Sequence, residues 1–278
     1  MTFSKTPHIA RLAATAALIA LLSPPVDTAR FPFDPSRGLV EVEGTLNGVL
    51  SGRFGLDTGA DLFYIDREFA RRAGLSIPAD DHGKVVRGIH GVSAVASAKA
   101  RSFAIGDERI YNVPVEIIDL KKLSGVRGQT PDGLIGYEAL RRFYITIDYP
   151  GRRIDLFSHE PGFDPNSVRG VPFEQVGHLI VVNCEVEGVE MSFFLDYCAS
   201  STLLTPGALA KLNRDSRRPL KSITLGDVSA ADIPFVVRAL DNFSDPRVVK
   251  LDGILGYSFL RRFRVTVDYG RKLLLFHR

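Results

Sequence analysis

The chain contains no tryptophan, only two cysteines and two methionines, and little imbalance of charge. Two cysteines in 278 residues exclude a disulfide scaffold, which is far richer in Cys. Lys and Arg number 35 against 32 acidic residues, a net charge of +3. The arginines fall in scattered pairs such as Arg71-Arg72, Arg141-Arg142 and Arg261-Arg262. Nucleic-acid binders concentrate positive charge in a stripe, so no nucleic-acid partner is expected. There is no Gly-x-Ser-x-Gly elbow, no His-Glu-x-x-His and no phosphate-binding loop, and the six His are dispersed. Neither a metal nor a cofactor is therefore expected. What is present is a composition 45% hydrophobic with 25 Gly and 16 Pro, suited to a large turn-rich core.

Long apolar runs are also missing. Residues 12–22 (LAATAALIALL) give eleven, short of the roughly 20 needed to span a bilayer but within a signal-peptide core of about 7–15. Lys5, His8 and Arg11 precede this stretch, and Pro24 and Pro25 end it. Ala29 suits the end of a signal, although Asp27 departs from the small-x-small pattern. Residues 1–29 are read as a signal peptide or export segment, and the protein as exported, periplasmic or secreted. No stable membrane insertion is expected unless that segment is retained.

The remainder is written twice. Residues 132–149 (DGLIGYEALRRFYITIDY) return as residues 252–269 (DGILGYSFLRRFRVTVDY), identical at eleven of eighteen positions with an offset of 120. Upstream, Gly55-Leu56-Asp57-Thr58-Gly59-Ala60 corresponds to Phe194-Leu195-Asp196-Tyr197-Cys198-Ala199 at an offset of 139. The first copy is thus 19 residues longer, near residues 80–102. Each copy consists of short β-branched and aromatic runs punctuated by Gly, Pro and Asp, with one helical stretch at 67–73 or 206–212. The pattern predicts an all-β chain of two similar lobes, 30–159 and 170–278, joined by a linker at 160–169. Asp132 and Asp252 are read as turn-formers, Asp148 and Asp268 as strand ends.

A hairpin turning near Glu187-Gly188 would set Cys184 against residue 193 or thereabouts, leaving Cys198 out of register. At about 3.3 Å per residue the two thiols then lie too far apart to bond.

An Asp in a tight turn after an apolar strand suits a catalytic carboxylate, and here the turn recurs together with a downstream apolar-apolar-Gly element. In these strings the chain resembles the aspartic proteases, of the retropepsin-like and pepsin-like families. Residues 54–61 (FGLDTGAD) are similar to the retropepsin active-site loop, and Leu134-Ile135-Gly136 and Ile254-Leu255-Gly256 to the element that threads beside it. The resemblance implies a bilobal single chain of two β-barrel lobes with a cleft between them. It also implies an aspartic endopeptidase acting on extended polypeptide, without metal or cofactor. Asp57 and Asp196 would be the catalytic pair, in loops of Thr58, Gly59 and Ala60 and of Tyr197, Cys198 and Ala199. The 19-residue excess would be a flap with Gly88, Ile89, His90 and Gly91 at its tip, present on the first lobe alone.

The second copy departs from the family at its turn, with Tyr197 in place of Thr or Ser and Cys198 in place of Gly. The family's two hydroxyls cross-brace the loops. Thr58 supplies one, and Tyr197 is expected to be too large for the other. Cys198 is expected to cost order 1 kcal/mol if the turn demands positive φ. A buried thiol is expected there rather than a nucleophile, since no His adjoins it. Two alternatives accompany the intrachain pair: a peptide-binding pseudoprotease with a degenerate second lobe, and a homodimer using Asp57 from two chains. A monomer is favoured over a dimer.

Overall fold

The structure, a computed structural model, describes residues 28–78, 84–88, 91–106, 108–122, 130–158, 160–215, 218–241, 243 and 245–278. Strands dominate, and they form two barrel-like lobes joined by a common sheet.

In the first lobe Glu41–Leu46, Leu50–Leu56, Gly133–Ile135, Phe63–Asp66, Glu108–Ile118 and Ala96–Ile105 close into a barrel. Its centre is aromatic. Phe54 and Phe103 pack edge-on at 4.7 Å between ring centroids, with Phe63 and Phe69 completing the group. Such pairs add about 0.5–1.5 kcal/mol each beyond the area they bury. The second lobe runs Val228–Ile233, Leu220–Leu225, Leu179–Val186, Val189–Leu195, Gly253–Leu255, Thr202–Leu204 and Phe235–Val237. The two ends of this path are consecutive in the chain, separated by Pro234, which has no N–H to give a ladder. The first lobe keeps Pro114 inside an unbroken strand, opposite Lys99. One lobe is thus a closed barrel and the other barrel-like, opened at a proline.

Between the lobes lies a six-stranded antiparallel sheet in the order Thr28–Pro32, Arg153–Phe157, Tyr144–Asp148, Arg264–Asp268, Leu273–His277 and Val168–Pro172. Its middle pair comes one strand from each lobe. Thr146 stands opposite Thr266 with their hydroxyls 2.6 Å apart, both fully buried. These are equivalent positions of the repeat, so a local two-fold relation passes between them. Thr28 and Ala29, assigned to the export segment, stand in the first of these strands. Val168 and Arg169, assigned to the linker, stand in the last.

Each lobe threads its repeated element beside its Asp strand. Gly133–Ile135 runs parallel to Phe54-Gly55-Leu56, and Gly253–Leu255 parallel to Phe193-Phe194-Leu195. Asp132 and Asp252 start these threads as turn-formers. Asp132 accepts the Arg53 N–H at 2.8 Å, and Asp252 accepts the Ser192 N–H at 3.1 Å. Asp252 also receives Lys211 at 2.6 Å.

The helices Arg67–Arg72 and Pro206–Lys211 occupy the expected places, capped by the Asp66 and Thr205 side chains. One-turn helices at Tyr137–Leu140 and Tyr257–Leu260 were not foreseen, being too short to show a period. The hairpin register also differs from expectation. Cys184 faces Met191, not residue 193, because the turn at Glu187-Gly188 sets Val186 against Val189. Both thiols are free.

The long insertion in the first lobe forms a hairpin of Val85–Gly88 and Gly91–Ala94. Ile89 and His90 at its tip lie outside the described residues, while Gly88 and Gly91 pair across it. Val86 packs on an apolar cluster containing Ala60, Tyr64 and Val95, which sets the hairpin over the Asp57 loop.

A Cβ on Gly136 would run into the carbonyls of Leu62 and Ala60, and one on Gly256 into those of Ser201 and Ala199. Gly136→Ala and Gly256→Ala are each expected to destabilise the fold by about 3 kcal/mol or more, since backbone cannot give way. Thermal unfolding checks this.

Candidate active site

The two Asp loops meet where the lobes face each other. Leu56 and Leu195, both fully buried, end the strands that carry Asp57 and Asp196. The threaded carbonyls of Ile135 and Leu255 then take the N–H groups of the two aspartates at 2.9 and 3.0 Å. Each carboxylate is held in the same way. Asp57 Oδ1 accepts the Gly59 N–H at 2.9 Å, and Asp196 Oδ1 accepts the Cys198 N–H at 2.7 Å.

The structure brings the two acids together. A Cβ placed on Gly59 would lie 3.1 Å from Asp196 Oδ2 and 3.2 Å from Asp57 Oδ1. Both carboxylates therefore crowd a single point, and a side chain at Gly59 would press on both. Positive φ plays no part: neither Gly59 nor Cys198 adopts it. The expected backbone cost of Cys198 does not arise, because its turn uses conformations open to any residue.

Burial and crowding set the electrostatics. Asp57 is raised well above the ordinary carboxylate range, first by loss of water and then by the negative charge of Asp196. The N–H groups of Gly59 and Ala60 and the nearby His178 act in the opposite direction. Asp196 is raised too, by burial, against the lowering effect of the Cys198 and Ala199 N–H groups. Two acids so placed hold a proton between them where isolated ones would have lost it.

Thr58 is fully buried and ties the loops together. Its hydroxyl donates to the Leu195 carbonyl at 2.9 Å and accepts the Tyr197 N–H at 3.2 Å. Val40 relays a second tie, accepting the Leu56 N–H at 2.8 Å and donating to the Tyr197 carbonyl at 3.3 Å. The Tyr197 ring is buried in the main core and does not repeat the Thr58 contact, as its size led one to expect. The Cys198 thiol instead stands 3.6 Å from the Leu56 carbonyl. Burial, with Asp57 and Asp196 nearby, pushes that thiol far up. A thiol so raised holds its proton and is a poor nucleophile. Ala60 and Ala199 flank the pair, each joining the apolar cluster of its own lobe.

His178 was missed in the sequence. It follows Gly177 at the turn before Leu179–Val186, and its Nε2 lies 2.9 Å from the Gly59 carbonyl of the other lobe. The repeat contained a signal. The two hairpins pair Glu41 with Gly55 and Val181 with Phe194, which sets Gly38 at the place of His178, so a polar ring stands where the first copy has no side chain.

Residues 42–139 match the family model of the aspartyl proteases, which supports a retropepsin-like aspartic protease. The match takes in Asp57, its loop and the Leu134-Ile135-Gly136 thread, while the second loop lies beyond it. No curated protein matches the chain.

The raised acids link stability to pH. The folded state keeps protons that the unfolded chain releases near pH 4, so stability falls as pH climbs from there through the folded values. Asp57→Asn removes one such acid. Its Tm is expected to approach that of the wild type near pH 4 and to exceed it near pH 9, at about 2–4 °C per kcal/mol. Calorimetry across that range checks the sign.

Proposed function

We propose that the chain is an aspartic endopeptidase in which Asp57 and Asp196, one from each lobe, act as a pair on a water molecule. The observation that carries this reading is the crowding of both carboxylates on the point beside Gly59, each gripped by the N–H two residues on. The ionised partner takes a proton from water as that water attacks the scissile carbonyl carbon. The protonated partner donates to the carbonyl oxygen as charge develops there. An extended peptide would lie between the lobes under the hairpin of Val85–Gly88 and Gly91–Ala94, whose Val85 and Val92 are exposed. The apolar run of residues 12–22, of signal-peptide length, supports action outside the cytoplasm, in the periplasm or the medium.

Cleavage of an unstructured polypeptide by the purified protein is the test. Asp57→Asn and Asp196→Asn are each expected to lower kcat by roughly 10²–10⁴-fold or more, the usual worth of an acid–base group. Full activity in Asp196→Asn, with none in Asp57→Asn, would replace the intrachain pair by two first lobes of a dimer. A wild type that binds peptide but never cleaves it would leave a pseudoprotease.

The same pair sets the pH dependence. Activity needs one proton shared between two acids, and both are raised, so the window moves upward with them. The rate is expected to peak nearer neutrality than for carboxylates of ordinary acidity. A profile confined below pH 4 contradicts this.

A further inference from the structure

We propose that Cys198 is a positioning residue, its thiol supplying to the Asp57 loop the brace that Thr58 supplies to the Asp196 loop. The inference rests on the reading of Asp57 and Asp196 as a working pair, and concerns what holds that pair in register.

The brace as seen from Thr58 is one-sided. Its hydroxyl donates to the carbonyl of Leu195, the residue before Asp196. The reciprocal acceptor is the carbonyl of Leu56, the residue before Asp57. Tyr197, the positional equivalent of Thr58, sends its ring into the core, where its hydroxyl meets no partner among the described residues. The donor at Leu56 is one residue further on, the Cys198 thiol at 3.6 Å. Sulfur is larger than oxygen and its S–H is a weak donor, so a longer contact is natural. With its pKa raised far above the ordinary thiol range, Cys198 keeps the proton that it donates.

Room for this thiol is made on the opposite loop. A Cβ on Gly55 would lie 2.7 Å from Cys198 Sγ, closer than real Cβ atoms approach. The second copy has Phe194 at the place of Gly55, and the first copy has Gly59 at the place of Cys198. Side chain and space have therefore changed places between the copies: where one loop gained a thiol, the strand facing it lost its side chain. A cysteine that merely tolerated its position would require no such accommodation. The Cys198 residue also grips Asp196 directly, its N–H reaching Oδ1 at 2.7 Å. One residue thus touches both halves of the site, the carboxylate of its own loop through the backbone and the other loop through sulfur.

The test compares Cys198→Ala and Cys198→Ser with the wild type in peptide cleavage, recording kcat, KM and the pH profile. Cys198→Ala is expected to lower kcat by about three- to tenfold, the range of one weak hydrogen bond, with KM changed less than about twofold. Its pH profile is expected to shift, because the two acids are no longer held at one separation. Cys198→Ser, which keeps a donor, is expected to recover most of the loss. Equal impairment in both variants would overturn the proposal in favour of simple space-filling, as would wild-type kinetics in Cys198→Ala. A second measurement needs no activity. The infrared S–H stretch lost in the difference spectrum of Cys198→Ala is expected at lower frequency than that of an unbonded thiol, and an unshifted band overturns the brace. An inactive wild type would overturn the enzymatic reading, while the band would still decide the brace.

Discussion

Two carboxyl groups held side by side, Asp196 buried and Asp57 half-buried, lose hydration and cannot both carry charge at ease, and the rest of the structure answers that constraint. Left free, the loops would part. They are prevented from doing so by the Thr58 hydroxyl reaching across, by the Val40 relay and by His178 at the Gly59 carbonyl, while a backbone N–H fixes each Oδ1 within its own loop. Behind the loops stand two parallel threads whose glycines admit no side chain. Behind the threads, the shared sheet fixes one lobe against the other at Thr146 and Thr266. Each layer limits the motion of the one in front of it. The backbone of these loops carries no strain of positive φ.

The two copies solve one problem in different ways. The first has a hydroxyl, a glycine and an overlying hairpin; the second has a phenol turned inward and a thiol. Where the first lobe carries Val86 of its hairpin over Ala60, the second packs Phe243 and Ala199 against a cluster that includes Leu240, Val248 and Leu251. Apolar surface thus flanks the acids on both sides, fixed on the second lobe and carried partly by a hairpin on the first. His178 adds a further asymmetry, a second-lobe ring that bonds the first-lobe loop, where the first copy has only Gly38.

Much of this was legible beforehand, for reasons that differ by residue. Asp57 and Asp196 stood out because the chemistry needs them in a turn and the repeat shows them twice. Gly136 and Gly256 stood out because a spatial demand on backbone leaves only one residue type. The two longer helices were placed by the one helical stretch that follows each Asp motif, and Asp66 and Thr205 cap them. The thiol contact with Leu56 and the reach of His178 to Gly59 were not legible, since they depend on how two lobes face each other and on no local period. The turn at Glu187-Gly188 was placed correctly, but the partner of Cys184 was counted two residues too far along the returning strand. Cys198 was misjudged because a glycine was taken to mean positive φ, when Gly59 has none and instead lies close against the two carboxylates.

The sheet between the lobes draws strands from distant parts of the chain: Thr28–Pro32 lies at one edge, and Leu273–His277 lies beside the strand at the other. Contacts so far apart in sequence form late and slowly. As the chain leaves the ribosome, the first lobe can close its barrel, yet Tyr144–Asp148 has one ladder unfilled until Arg264–Asp268 has been made. An unpaired strand of that kind invites pairing with other chains. The nascent protein therefore carries an aggregation hazard until Arg264–Asp268 has been made and paired.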